Sequence, residues 1–494
     1  MLTFTSRWYA LAALALSTLA VGLDTTVLSV ALPTLARDLD ATTGDLQWFT
    51  TAYLLVLAAA LLPAGLLGDR LGRKRMLIGA LVLFGVASVA CAYAQTSGQL
   101  IAARAVLGLG AAVIMPLSGA VLTVLFPGAE RTRAMSIWVT ASALGIPLGP
   151  LLGGWLLDNF WWGSVFLINV PVVVAGVVAL VLWLPESHGT RSRLDLPGIV
   201  LSTAGLVGIT YGIIEAGERG WSDARSLITV AAGVALLAGF LLWQRRAPHP
   251  LIDLALFRNR AFTGGAALAT VASFAMLGLL FSLPQLFSAV GGHDAFGSGL
   301  RLLPVIGGLI VGARLAEKLA RRFGARFVIA GGLGLIAGAS LLGAQTTAST
   351  GYGYIAVWIT ITGAGLGLTM PPALDAALGA LPPTGSGVGN AVLQAMRQVG
   401  GAIGVAVLGT VLNTAYRSQV PPAASESVTS GVALAHRTGD AGLLASVQEA
   451  FAYGMDRSLL VAGALALAGV VIALTVMPKR AAEPQPEVLA ESLL

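Results

Sequence analysis

Charge is what this chain lacks most. Of its 494 residues only 11% are Asp, Glu, Lys or Arg, against about 25% in a soluble domain. That is too little polar surface to keep a folded globule of this size in water, so the solvent must be lipid. Cysteine is nearly missing: Cys91 stands alone inside an apolar run, which excludes a disulfide framework. The four histidines, His188, His249, His293 and His436, lie scattered in polar stretches. They assemble neither a metal cluster nor a Ser/His/Asp set. The glycine-bearing loop at Gly65–Lys74 lacks the Gly-Lys-Ser/Thr ending of a phosphate-cradling loop. No cofactor, metal or catalytic set is expected.

Apolar residues are plentiful at 56%, with 62 glycines and 22 prolines and a mean hydropathy of +0.85. In a bilayer, small residues let helices approach closely. A span needs about 20 mostly apolar residues. Fourteen such runs occur, near 9–32, 47–68, 76–95, 99–123, 135–157, 164–184, 195–214, 225–243, 262–290, 299–316, 325–345, 352–375, 387–412 and 458–477. The first is too long for a cleaved signal segment and contains Asp24. The run at 262–290 is long enough for its later part to be tilted or re-entrant. The expectation is an all-α integral membrane protein with 14 transmembrane helices.

An even number of spans puts both termini on one side, and charge chooses the side. With both termini cytoplasmic, 20 of the 29 Lys/Arg face inward, 7 face outward, and Arg104 and Arg397 fall inside spans. This is the positive-inside bias, so the net charge of +6 reads as orientation and not as nucleic-acid binding. The long outer connection, about 413–457, has room for a short surface helix near 441–456. The segment 479–494 reads as a disordered cytoplasmic tail.

Two loops repeat. Gly65-Leu66-Leu67-Gly68-Asp69-Arg70-Leu71-Gly72-Arg73-Lys74 is echoed 248 residues on by Ala313-Arg314-Leu315-Ala316-Glu317-Lys318-Leu319-Ala320-Arg321-Arg322. Acid aligns with acid and base with base, each after the second helix of a six-helix set. Two homologous halves are the usual build of a rocking transporter. The division expected is 1–190 for the first half, 191–247 for two inserted helices, and 248–478 for the second half.

At these residues the chain resembles the major facilitator superfamily, and within it the fourteen-span drug:proton antiporter family. The likeness rests on Gly65–Arg75, on Leu23-Asp24-Thr25-Thr26-Val27 with Ala31-Leu32-Pro33, and on Gln47-Trp48 with Tyr53-Leu54. It continues through Arg104 with Gly108 and Gly110, the antiporter motif Gly145–Gly154, and Phe166–Pro171. Leu256-Phe257-Arg258 and Gly387–Ala391 through Arg397-Gln398 complete it. It implies a proton-coupled exporter of lipophilic small molecules working by alternating access. An exporter dedicated to one endogenous product, on the same fold, is the alternative. Departures are Leu107 where the family commonly has Gln, and Thr51 where exporters of dications often carry an acid. Between Gly299 and Gly312 no acid occurs. A neutral or monocationic substrate is therefore expected, with protons and membrane lipid as the other partners and no obligate protein partner.

Asp24 is the candidate proton carrier, because a carboxylate in hydrocarbon must be protonated, paired or facing water. Arg104 has two options: to snorkel to the surface, or to turn inward and couple to Asp24, as the resemblance implies. Asp375 is a further proton site or a partner for Arg397. Asp69, Arg70, Gly72 and Arg73, with Glu317 and Lys318 as the weaker copy, form the inner gate. Asp69 there either caps a helix or pairs with a base of the other half. Gly145, Pro147, Gly149, Pro150, Gly153 and Gly154 read as a kinked, close-packed interface between halves. Tyr53, Gln394, Arg397 and Gln398 are candidate cavity residues, Gln394 and Gln398 sharing one helix face.

Overall fold

The computed structural model describes residues 4–126, 128–188, 195–381 and 386–478. Several side chains early in the fifth helix, Pro147 among them, fall outside that description, as does the tail 479–494. Among the described residues all regular structure is helical. The first half holds α1 (Phe4–Asp38), α2 (Thr43–Leu71), α3 (Arg73–Ala92), α4 (Ser97–Leu125), α5 (Gly128–Asn159), α6 (Ser164–Leu167) and α7 (Asn169–Trp183). The inserted pair is α8 (Leu196–Arg219) and α9 (Ala224–Gln244). The second half holds α10 (Arg260–Gln285), α11 (Ala295–Arg301), α12 (Leu303–Phe323), α13 (Ala325–Gly343), α14 (Tyr352–Gly379), α15 (Ser386–Arg417), α16 (Val428–Thr438) and α17 (Ala441–Val476).

Thirteen of the described helical segments are long and apolar enough to cross a membrane. The 32-residue α5 is a further long helix. Starts are set by short polar side chains that satisfy the first free N–H groups. Thr42 and Asp45 make a capping box at α2, and Thr96, Asp223, Asn259, Asp294 and Asp440 cap later helices. The run at 262–290 is one continuous helical segment: α10 continues into a π-helical turn, Leu286–Val290.

Two boundaries differ from the sequence reading. The last span starts at Ala441, not near 458, so the surface helix expected at 441–456 is the first part of α17. The connection shortens to 418–440 and is ordered: it contains α16, and Tyr416 Oη donates to Ala424 O at 2.7 Å. Composition misled because Ser446, Gln448, Glu449 and Asp456 in the first turns of a long helix look like loop.

The bundle has two ends. The basic end carries the turns at Gly72 and Gly324; the opposite end carries the turns at 39–42, 93–96 and 160–163. At the opposite end the halves close on each other. Gln47 of α2 donates through Nε2 to Val405 O and Ala406 O of α15, at 3.1 and 2.9 Å. Asp158 of α5 accepts from the backbone N–H groups of Ala295 and Phe296, at 3.1 and 2.9 Å, capping α11 of the other half. Thr43 N–H donates to Glu426 O at 3.2 Å. The apolar core of the first half takes in Leu277, Phe281, Ala402 and Val405 of the second.

Of the inserted pair, α8 packs on α2 and α15 at this seam, and α9 packs on α8. The last turn of α8 has carbonyls without intrahelical partners. Two of these find donors on α15, Asn413 Nδ2 to Gly217 O and Arg417 to Glu218 O at 3.3 and 2.8 Å, and one turn earlier Thr410 Oγ1 donates to Ile213 O at 3.0 Å. Among the described residues one hydrogen bond reaches the first half, Thr42 Oγ1 to Glu218 Oε1 at 3.1 Å. At the basic end, the buried Asp195 caps α8. It accepts from Trp243 Nε1, Gln244 Nε2 and Leu251 N–H, at 2.7, 2.6 and 3.3 Å. Burial alone would raise its carboxyl, but these bonds and that from Gly198 outweigh it and hold the group below the usual carboxylate range.

Candidate functional site

Asp24 and Arg104 meet in the middle of the first half. Their side chains are 0% and 1% exposed, and Arg104 Nη1 lies 2.6 Å from Asp24 Oδ2. An unpaired charge at this depth would be very costly, so each makes the other tenable. Arg104 Nε donates to Phe49 O at 2.9 Å. The guanidinium sits over the Tyr53 ring, 4.5 Å from its centroid. Snorkelling is thereby ruled out, since the arginine turns inward. Tyr53, expected to line a cavity, is instead 1% exposed beneath Arg104. Asn169 completes the cluster, its Nδ2 donating toward Asp24 Oδ1 at 3.4 Å and to Ser88 Oγ at 3.2 Å.

The glycines explain how the cluster closes. A Cβ at Gly108 would lie 2.5 Å from Tyr53 O, so α4 approaches α2 closely enough for Arg104 to reach Phe49 O only with glycine there. On α5, added Cβ atoms at Gly145, Gly149 and Gly153 would collide with Gly22, Thr26 and Val27 of α1. Thr26 Oγ1 also donates to Gly145 O at 2.9 Å. This corrects the expectation that the whole motif joins the halves. Spaced four apart, Gly145, Gly149 and Gly153 face α1 and flank Asp24 within one half. The other row does cross over. Gly154 lies against Ala295 and Phe296, and Pro150 O lies against Gly299.

At the basic end Asp69 pairs with Arg73 at 2.8 Å, its own helix-turn neighbour and not a base of the other half. Arg73 also reaches Ala120 O. Gly72 has φ 108°, and a Cβ there would strike the Glu186 carboxylate. Glu186 accepts from Lys74 N–H at 2.9 Å, and Arg70 is exposed. In the second half Glu317 pairs with Arg321, the same four-residue step, and Lys318 is exposed. The turn glycine there is Gly324, φ 87°. The repeated loop therefore keeps its acid–base step but runs one helical turn further before bending, which is why Ala320 stands where the first loop has Gly72.

Gln394, Arg397 and Gln398 lie together, partly buried, on α15. Arg397 Nη1 donates to Gln394 Oε1 at 2.6 Å and its Nε has no partner. Asp375 does not pair with Arg397. It is exposed on α14, and the charged group it feels is Glu317. The residues that sequence reasoning missed are Asn169, Ser88 and Asp158. Asn169 stood inside a quoted motif without a role; the other two gave no signal, because neutral or terminal residues carry no cost that marks them.

The sequence profile of the Major Facilitator Superfamily matches residues 14–405. This chain belongs to the major facilitator superfamily. The Tetracenomycin C resistance and export protein of Streptomyces glaucescens is 33% identical, covering 97% of this chain and 93% of that one. The multidrug efflux pump LfrA of Mycolicibacterium smegmatis is 32% identical, covering 95% and 96%. The probable actinorhodin transporter of Streptomyces coelicolor is 34% identical, covering 90% and 78%. Among solved structures, a bacterial homologue of the human lysosomal transporter Spinster has a TM-score of 0.67 at 17% identity, covering 98% and 100%. A D-xylose–proton symporter has a TM-score of 0.63 at 16% identity, covering 96% and 98%. The major facilitator chain described here is thus a multi-pass membrane transporter of the efflux type, not an enzyme.

Proposed function

We propose that the protein exports lipophilic small molecules in exchange for protons by alternating access. α5 completes fourteen spans, and the basic end and both termini lie in the cytoplasm. The observation that carries this reading is the fully buried Asp24–Arg104 pair. A group that must alternate between ionised and neutral needs a partner in one state and release in the other, which a lone carboxylate against one guanidinium provides.

With the outer end closed, Asp24 is engaged by Arg104, as suits a transporter loading cargo from the inside. When the outer end opens, a proton from water neutralises Asp24 and loosens its hold on Arg104. The flanking α1–α5 glycine contact transmits the movement of α1 to α5, and through Gly154 and Asp158 to α11. The basic loops, with Asp69–Arg73 and Glu317–Arg321, brace the opposite closure, and Gln394, Arg397 and Gln398 lie where cargo enters.

The test is transport in proteoliposomes under an imposed pH gradient. Ethidium is the first probe, followed by a panel of neutral and anionic aromatic compounds. Accumulation should follow the gradient, and uptake indifferent to it refutes antiport. A second reading, export of one endogenous product, draws on the similarity to the tetracenomycin C and actinorhodin proteins. It expects a single compound to be carried and the rest of the panel refused.

A further inference from the structure

The carboxylate of Asp24 has two oxygens, and Arg104 engages only one of them. Oδ2 is held at 2.6 Å. Oδ1 faces Asn169 Nδ2 at 3.4 Å, long for a bond to a charged acceptor. Asn169 is the first residue of α7, yet no side-chain cap forms there. Its amide instead points away from its own helix toward α1 and α3, where Ser88 Oγ accepts from it at 3.2 Å. Asn169 and Ser88 are 1% and 0% exposed. Two neutral polar side chains are thus buried beside an ion pair that does not need them for charge balance.

We propose that Asn169, held by Ser88, is the positioning residue for the carried proton. Asp24 Oδ1 receives the proton, and Asn169 reverses the sense of its hydrogen bond when it arrives. This rests on the reading of Asp24 as the proton carrier. The step is a plain protonation: a proton from water adds to Oδ1, one O–H bond forms, and on release the same proton returns to water. Oδ2 is committed to a donor, so the new O–H must form on Oδ1 and then needs an acceptor. A carboxamide is the side chain that serves both states. Its NH2 faces the carboxylate, and its carbonyl faces the acid once the amide turns over. Ser88, which both donates and accepts, can follow that turn. An apolar side chain would serve neither state, and a second cation only one.

The charged and titratable groups facing the pair are Arg104 from α4, Tyr53 from α2 and Cys91 from α3. The spans of α5, α7 and α10 between their ends carry none. Among the described residues nothing else near Oδ1 changes charge.

The experiment follows the carboxyl C=O stretch by difference infrared spectroscopy as purified full-length protein is titrated, a readout that needs no substrate. The expected band disappears in Asp24→Asn. In Asn169→Leu it should move to higher frequency, because the O–H on Oδ1 loses its acceptor and the carboxyl C=O gains double-bond character. Its titration midpoint should move toward higher pH by about one unit, the size of one modest hydrogen bond to a charge. Asn169→Gln should restore most of both. Ser88→Ala, which keeps the amide but frees it, should shift the midpoint the same way by less, and carries the test if Asn169→Leu does not fold. A titrating Asp24 band that Asn169→Leu and Ser88→Ala leave in place overturns the role of Asn169 alone. A wild-type protein in which no such band titrates overturns the proton site and this proposal with it.

Discussion

Asp24 and Arg104 show how far single residues can be read. An acid and an arginine inside apolar runs announce themselves by cost alone, and the sequence marks both. Which way Arg104 turns is not legible, because snorkelling and inward burial use the same letters. The 2.6 Å contact with Asp24 decides it. In Asp24→Asn, gradient-driven accumulation in proteoliposomes should vanish while gradient-free exchange of labelled for unlabelled probe continues. Arg104→Ala leaves a buried carboxylate alone and should destabilise the protein by about 3–5 kcal/mol, seen as a lower thermal midpoint in detergent. Arg104→Lys keeps the charge but cannot hold Asp24, Phe49 O and Tyr53 at once, so coupling should fall even where the fold survives. Asn169 escaped notice for the converse reason: an amide is cheap enough in a helix start to pass as a cap.

At the scale of elements, the length of apolar runs located the helices well but not what their faces touch. The motif of α5 was visible as a string of small residues. Its division into a row facing α1 (Gly145, Gly149, Gly153) and a row facing α11 (Pro150, Gly154) is a matter of the helical four-step, and needed the neighbours in place. The two rows should respond differently. Gly149→Leu overpacks the α1 contact and should cost about 1–3 kcal/mol, measured as thermal stability, along with transport. Asp158→Ala removes the cap that α5 lends to α11 and leaves the core alone. It should leave stability nearly unchanged and raise the accessibility of a cysteine placed at the opposite end. The Asp195 node makes a pH prediction. Its folded carboxyl lies below the ordinary range, so its stabilisation is present above about pH 4 and is lost as pH falls through the folded value. Asp195→Ala should lower thermal stability at neutral pH, stranding donors at about 1–3 kcal/mol each, and flatten the acid limb of the stability curve.

For the whole molecule, the repeat 248 residues apart gave the two halves, and hydropathy gave the inserted pair between them. Neither could say which half the pair accompanies, because an apolar helix has no address written on its lipid face. The bonding does. α8 gives three carbonyls to α15 but makes one hydrogen bond to the first half, from Thr42 at the start of α2, and Asp195 ties the start of α8 to Leu251 on the way into α10. On this bonding the pair should move with the second half, and the chain should cross between moving parts before α8, not after α9. Cutting the gene within 189–194 should then give two fragments that reassemble into a working transporter when made together. A cut at 247 severs passengers from their carrier and should yield pieces that do not.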